Sequence, residues 1–201
     1  MNEFPAWLAA TLASDAAEGQ GILPNTILPL RPGSHIVGPA FVALMSRDDN
    51  LAVRQAIEAR PPPGAVLVVA GGSESRTATI GGLLALELQQ AGFVGLVTDG
   101  LVRDSQEIRA SGLAVWCRGV TPTASHKAGP AHIGGVVAIG GTVIHDGDWV
   151  IADDDGVVIW PQADIPDLLQ RAEARLQQDT ARLARLQATH RAEIHDQLSS
   201  N

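Results

Sequence analysis

Through the middle of the chain, short continuous apolar runs alternate with stretches whose apolar residues recur every three or four positions. Residues 65–70 (AVLVVA) have the length and composition of a strand covered on both faces, followed by a turn at Gly71-Gly72-Ser73. Residues 80–91 (IGGLLALELQQA) read as a helix that Gly92 stops, and 94–98 as the next strand. After a loop over 99–104, a short helix runs to about residue 110. Gly112 ends it, and 113–117 form a third strand. This order predicts parallel strands joined by crossovers. Upstream, residues 4–13 suggest a short helix with Pro5 in its first turn. The Gly- and Pro-rich segment 14–34 reads as loop. A strand is expected over 36–45, interrupted at Gly38-Pro39. Asp48, Asp49 and Asn50 then offer caps to a helix reaching about Arg60.

Beyond residue 130 the period changes. Short runs at 136–139, 142–144, 149–152 and 157–160, separated by Gly and Asp turns, predict an antiparallel patch. From residue 164 to about 198 the pattern is helical and polar. Leu169, Leu176 and Leu183 recur every seven residues, with Leu186 and Ile194 nearby. A stripe this narrow suits packing on a neighbouring subunit or along the domain's flank. The expected division is a single α/β domain over 1–163 and a helical extension over 164–201.

Composition narrows the function classes. The chain has 201 residues and a formal charge of −8, with aromatics at 3% and no Tyr. An acidic chain poor in rings lacks both the basic clusters that grip phosphates and the platforms on which single-stranded bases stack, so no nucleic-acid partner is expected. The richest apolar stretch, 134–144, is too short to cross a bilayer, so no membrane association is expected. The first residues show no basic segment followed by an apolar block. A lone cysteine, Cys117, excludes an intrachain disulfide and a multi-cysteine zinc site. A cytoplasmic location is the simplest expectation.

Two places could carry chemistry. Gly81-Gly82-Leu83-Leu84 opens a helix, where backbone N–H groups and the positive dipole end can hold a carboxylate or phosphate. The same glycines could equally serve only to bring the helix close to the sheet. Arg103-Asp104 lies in a loop leaving the C-terminal end of a strand, the edge where open α/β sheets gather ligands. An Arg fork suits a carboxylate or a developing oxyanion, and an Asp suits a hard cation such as Mg²⁺. The pair could also be a helix cap with a solvated ion pair.

Other residues carry weaker signals. Asp153-Asp154-Asp155-Gly156 lacks the spacing of a calcium loop and reads as a hairpin turn. His126, His132 and His145 do not fall at helical ligand spacing. Cys117 reads as a packed residue. Ser73 and Ser75 lack a nucleophile elbow. No P-loop, dinucleotide fingerprint or S-adenosylmethionine loop is present.

The block 81–122 (GGLLALELQQAGFVGLVTDGLVRDSQEIRASGLAVWCRGVTP) resembles the RraA-like family of 4-hydroxy-4-methyl-2-oxoglutarate / 4-carboxy-4-hydroxy-2-oxoadipate aldolases and ribonuclease-activity regulators. The likeness extends to Ile36-Val37-Gly38-Pro39-Ala40, Asp49-Asn50-Leu51, His126-Lys127-Ala128-Gly129 and residues 147–158. Its most specific element is the spacing from Gly82 across twenty residues to Arg103-Asp104, then Glu107.

The resemblance implies an α/β/β/α sandwich like the phosphohistidine swivelling domain, with a long C-terminal helix, assembled as a homotrimer or hexamer. It implies that the amides of Gly81, Gly82, Leu83 and Leu84 hold the carboxylate of a small-molecule 2-oxo acid substrate. Arg103 would contact the substrate's oxygens, and Asp104 would anchor Mg²⁺, Mn²⁺ or another divalent cation. The chemistry implied is that of a class II-type aldolase. It would cleave a 4-hydroxy-2-oxo acid to pyruvate through a metal-stabilised enolate, with a metal-bound water as base, and would decarboxylate oxaloacetate as well. The family's characterised aldolases carry Asp where this chain has Gly82. The intact Arg103-Asp104 pair favours lyase chemistry over the family's other role, protein-binding regulation of RNA degradation.

Overall fold

The computed structural model describes residues 5–199, and side chains as far as residue 189. Phe4, where the first helix was expected to begin, and the side chain of Ile194 lie outside the described residues. The first helix, α1 (Ala10–Ala16), starts later than Pro5 and runs into the expected loop. Two features move it: Asp153 Oδ2 accepts the N–H of Ala10 at 2.8 Å, and Ala10, Ala13 and Ala16 are buried. A two-residue edge strand, β1 (Leu28–Pro29), follows.

β2 (Ile36–Leu44) is continuous through Gly38-Pro39, where an interruption was expected. Its first half pairs antiparallel with a later strand, and pairing with the next parallel strand begins only at Ala40↔Val66. Ala40 gives its N–H to the carbonyl of Asp148 at 2.7 Å, on the side opposite to that parallel neighbour. Pro39 therefore lacks an N–H where no ladder bond would form.

α2 (Leu51–Glu58) and β3 (Val66–Ala70) come next. β4 (Ala78–Ile80) precedes α3 (Gly82–Ala91), which ends on left-handed Gly92. Then come β5 (Gly95–Thr98), β6 (Leu101–Val102), α4 (Ser105–Ser111) and β7 (Ala114–Cys117). β8 (Gly119–Val120) and β9 (His132–Ile133) are short. β10 (Val136–Ile139) pairs with β11 (Thr142–His145), and β12 (Trp149–Asp153) with β13 (Gly156–Trp160), all antiparallel as expected. The long helix α5 (Ile165–Ser199) closes the chain.

The main sheet runs β1-β7-β5-β3-β2-β12-β13, with β2, β3, β5 and β7 parallel. β2 belongs to two layers, and the alternation of its neighbours builds three cores. Leu67, Val69, Leu96 and Val115 face α2, α3 and α4. Val66, Val68, Val97 and Trp116 face inward against Val150, Ala152, Val157 and Ile159 of the β12–β13 pair. Ile151, Val158 and Trp160, on the outer face of that pair, pack on α1 and on Leu168 and Ala172 of α5. The order of layers is α/β/β/α, as the resemblance implied. Of the seven-residue stripe, Leu169 packs along the domain's flank beside Leu168 and Ala172, whereas Leu183, like nearby Leu186, is exposed. No helix among the described residues is long and apolar enough to cross a membrane.

Candidate functional site

A second, small sheet joins the two candidate sites. β4 and β6 pair in parallel, Ala78↔Leu101 and Ile80↔Val102, and β8 extends the pair. Arg103 donates its backbone N–H to the carbonyl of Ile80 at 3.0 Å. Both strands therefore release the chain at one edge: β4 into Gly81 and α3, β6 into Arg103, Asp104 and α4. Ile80 had been expected inside the helix and 99–104 as loop, so this sheet was missed. It is what places Gly81–Gly82 against Arg103–Asp104.

Asp104 is the residue under local strain. It takes a left-handed conformation, φ 53° and ψ 45°, and its side chain does not cap its own helix. A non-glycine residue held there costs about 1–3 kcal/mol. Its Oδ2 instead accepts the N–H of Gly82, the first residue of α3, at 3.2 Å and lies 3.5 Å from Arg103 Nε. Both side chains remain about two-fifths exposed, within reach of a small molecule.

Close approach constrains both glycines, Gly82 against an atom next to the α4 backbone and Gly81 against side-chain ends. A Cβ on Gly81 would lie 2.5 Å from Asp104 Oδ2 and 3.0 Å from Arg103 Nε; one on Gly82 would lie 2.8 Å from Glu107 Cβ. The first-turn amides of Leu83 and Leu84 have no upstream carbonyl in α3, since that of Gly81 is taken by Ala85. Close packing at the glycines and available donors at Leu83 and Leu84 thus lie side by side in the first turn of α3.

Around this edge is a cleft of about 140 Å³. A space of this kind suits a small organic acid. Its walls bring in residues that sequence reasoning had not placed in a site: Asn50 and Arg54 from the start of α2, Glu87 one turn along α3, and Ser125 and Lys127 from the loop after β8. The four-residue spacing of Asn50 and Arg54, one helical turn, was the available signal.

Asp49 fastens that loop. It is 5% exposed, and its two oxygens accept the N–H groups of Leu51 at 2.9 Å, Ala128 at 2.6 Å and Gly129 at 3.1 Å. Burial opposes its ionisation, but these amides and nearby His126 outweigh it and hold the carboxyl below its ordinary range. Asn50 gives its Nδ2 to the carbonyl of Thr79 at 3.0 Å, steadying the strand that leads to Gly81.

A metal ion at this edge would find the carboxylate of Asp104, with its Oδ1 free of hydrogen-bond or ion-pair partners among the described residues, and Glu87 as a second carboxylate lining the cleft. No group of three or more His, Cys, Asp or Glu capable of holding a metal occurs among the described residues. This fits Mg²⁺ or Mn²⁺, which bind through one or two carboxylates with water and substrate oxygens completing the shell, and does not fit a closed structural site.

The remaining candidates resolve as structural. Cys117 is buried, and burial raises its thiol pKa, so it packs. Asp154 and Asp155 form the β12–β13 hairpin turn. A larger recess of about 820 Å³ lies far from this edge, beside α5; its one basic side chain, Arg171, is already paired with Asp167 and Glu18.

The chain matches the family model RraA-like, described as Aldolase/RraA, over residues 10–159. It is 34% identical over 175 residues to a Halalkalibacterium halodurans protein named "Putative 4-hydroxy-4-methyl-2-oxoglutarate aldolase", covering 87% of this chain and 83% of that one. Among solved structures it is similar to Streptomyces coelicolor RraAS2, described as an unusual member of the RNase ES inhibitor RraA protein family. The TM-score is 0.79 with 27% identity, over 89% of this chain and 93% of that one. A Geobacillus kaustophilus structure titled as an S-adenosylmethionine: 2-dimethylmenaquinone methyltransferase gives a TM-score of 0.68 with 32% identity, over 75% and 92% of the two chains.

Proposed function

The chain belongs to the RraA-like aldolase/RraA family, and from that premise we propose that it is a divalent-metal-dependent carbon–carbon lyase. It cleaves a 4-hydroxy-2-oxo acid to pyruvate and decarboxylates oxaloacetate. The observation that carries this reading is Asp104, turned off its own helix onto the N-terminus of α3 beside Arg103.

The amides of Leu83 and Leu84 hold the substrate's C1 carboxylate at the positive end of α3. Arg103 sets its guanidinium against the 2-oxo oxygen, where negative charge grows as the C3–C4 bond breaks and its electron pair moves toward C2. A divalent cation held by Asp104 supplies Lewis-acid polarisation of the 2-oxo acid when bound. In the aldol cleavage the 4-hydroxyl loses its proton as C4 becomes a carbonyl. Glu87 lines the cleft and makes no hydrogen bond or ion pair among the described residues, so we assign it, in place of the metal-bound water expected from the sequence, as the group that takes that proton. In oxaloacetate the same bond breaks to release CO₂, and the same charge collects beside Arg103. Reprotonation at C3 gives pyruvate in both cases. The exposed Leu183 and Leu186 on α5 support assembly into a homotrimer or hexamer.

The test is pyruvate release, coupled to lactate dehydrogenase, on oxaloacetate and a set of 4-hydroxy-2-oxo acids. It is run with Mg²⁺, with EDTA and with Asp104→Ala. Turnover that needs the metal and is lost in the variant supports the reading. A second reading, a protein-binding regulator of RNA degradation, draws on the likeness to RraAS2. Inhibition of an RNA-degrading complex that survives Asp104→Ala, with no turnover under any condition, would favour it.

A further inference from the structure

The α2 wall of the cleft carries two polar atoms that the cleavage described above does not use. Asn50 is 5% exposed, and its Oδ1 is buried without a hydrogen-bond partner. Arg54, one helical turn on, has its Nε buried and likewise unpartnered, and it forms no ion pair among the described residues. Both line the cleft that holds Glu87, Arg103 and Asp104. A buried donor or acceptor left open is costly, and such groups persist where a ligand completes them. What stands open here is one acceptor and one cationic donor, four residues apart and so on one face of α2.

Aldol cleavage needs neither. Its 4-hydroxyl gives a proton to Glu87, and the charge passes through C4 and C3 to the oxygen beside Arg103. A substrate with a ketone at C4 behaves differently. Its C4 oxygen has no proton to remove, so the C3–C4 bond breaks only after water has added to C4. That addition puts a full negative charge on the C4 oxygen, which a donor N–H set against it stabilises. It also requires a water held close to C4, and an amide oxygen without another partner can hold one. With C1 at the α3 amides and C2 beside Arg103, the rest of a five-carbon chain falls among the remaining walls of the cleft, where Asn50, Arg54 and Glu87 stand.

Resting on the lyase reading above, we propose that the cleft also hydrolyses the carbon–carbon bond of 2,4-dioxo acids, with Arg54 as the donor to the C4 oxygen and Asn50 Oδ1 holding the attacking water. Glu87 takes one proton from the water as its oxygen bonds to C4. The carbonyl pair of C4 moves onto the C4 oxygen, against Arg54 Nε. When that carbonyl re-forms, the C3–C4 bond breaks, and its electron pair moves into a C2–C3 enolate whose charge lies beside Arg103. The proton on Glu87 goes to C3 and completes pyruvate. The other fragment leaves as a carboxylate, and the second proton of the water passes to solvent. Water is the co-reactant, and nothing is oxidised or reduced from outside.

The probe is 2,4-dioxopentanoate, which hydrolysis converts to acetate and pyruvate in equal amounts. Both are read by proton NMR, with Mg²⁺, for the wild type, Arg54→Met, Arg54→Lys and Glu87→Gln. Oxaloacetate decarboxylation is measured on the same preparations, and thermal melts check that the variants fold. The wild type should release the two acids in equal amounts. Arg54→Met should lose about 100-fold in hydrolysis. Decarboxylation builds no oxyanion on a C4 ketone, so the ratio of hydrolysis to decarboxylation should fall by about tenfold or more in that variant. Arg54→Lys should recover part of the loss, and Glu87→Gln should cleave the probe no faster than buffer does. An intact probe beside decarboxylated oxaloacetate, or a ratio unchanged in Arg54→Met, overturns the inference and leaves the lyase reading standing. No turnover of either compound overturns both.

Discussion

The chain has two conspicuous acidic turns, and they do opposite things. In the β12–β13 hairpin the carboxylates serve the fold. Asp153 takes the N–H of Ala10 on one oxygen and that of Asp155 on the other, and Asp154 takes the N–H of Gly33 on both of its oxygens. Each bond satisfies a backbone donor that the turn, the start of α1 or the segment before β2 would otherwise leave open. At Asp104 the backbone is held in a left-handed conformation, the carboxylate neglects its own helix, and one oxygen has no partner among the described residues. Carboxylates used up by amides stabilise; one held in a strained position with capacity left over is available for chemistry.

Removing charge at Asp104 breaks the comparison most sharply. Asn tolerates the left-handed region, so Asp104→Asn should fold with a melting temperature within about 2 °C of wild type while kcat falls about 100-fold or more. Arg103→Lys should lose about 10–100-fold, because the planar fork is replaced by a point charge. Steady-state pyruvate release alongside a thermal melt reads both. Full activity in Asp104→Asn would reduce Asp104 to another structural acid.

The hairpin was legible from sequence because its strand length and Gly156 are local signals. So were β3, β5, β7, α3 and α4, whose apolar runs and terminal glycines suffice. The site was legible only in pieces. Gly81–Leu84 and Arg103-Asp104 could each be named, but what joins them is β4, β6 and β8, strands of two or three residues. Segments so short have no period, and only pairing with distant neighbours defines them. Asn50 and Arg54 were hidden for a related reason: their four-residue spacing is visible in the chain, but that α2 faces this same edge is a fact of tertiary packing. β2 stayed whole through Gly38-Pro39 because the vacant N–H faces no partner there, a fact of register alone.

Gly82 tests how tightly the two helix starts are joined. The Cβ of Gly82→Ala would sit 2.8 Å from Glu107 Cβ, an atom fixed to the α4 backbone that cannot swing aside. The variant should lose about 1–3 kcal/mol in urea unfolding, and activity should fall with it as α3 and α4 are forced apart. Unaltered stability would mean that the two helices have slack. The hairpin supplies the complementary case. Asp153→Asn keeps shape but weakens the bond to Ala10, costing about 1 kcal/mol, and pyruvate release per folded molecule should not change.

The smallest effect concerns Asp49, which combines the two kinds of acid: both its oxygens are taken by amides, yet what it fastens is a wall of the cleft. Its folded pKa lies below its ordinary value of 3.8. The ionised form is therefore favoured by folding. Its contribution is complete well above pH 3.8 and is lost as the pH falls below that value through the folded pKa. Asp49→Asn removes the charge at every pH. The difference in unfolding free energy between wild type and Asp49→Asn should accordingly be flat from neutral pH down to about pH 5 and shrink in more acid solution. Urea titrations from pH 3 to 7 measure it. A difference that grows on acidification would mean that Asp49 is destabilised as an anion, and that something other than its carboxylate holds Lys127 over the cleft.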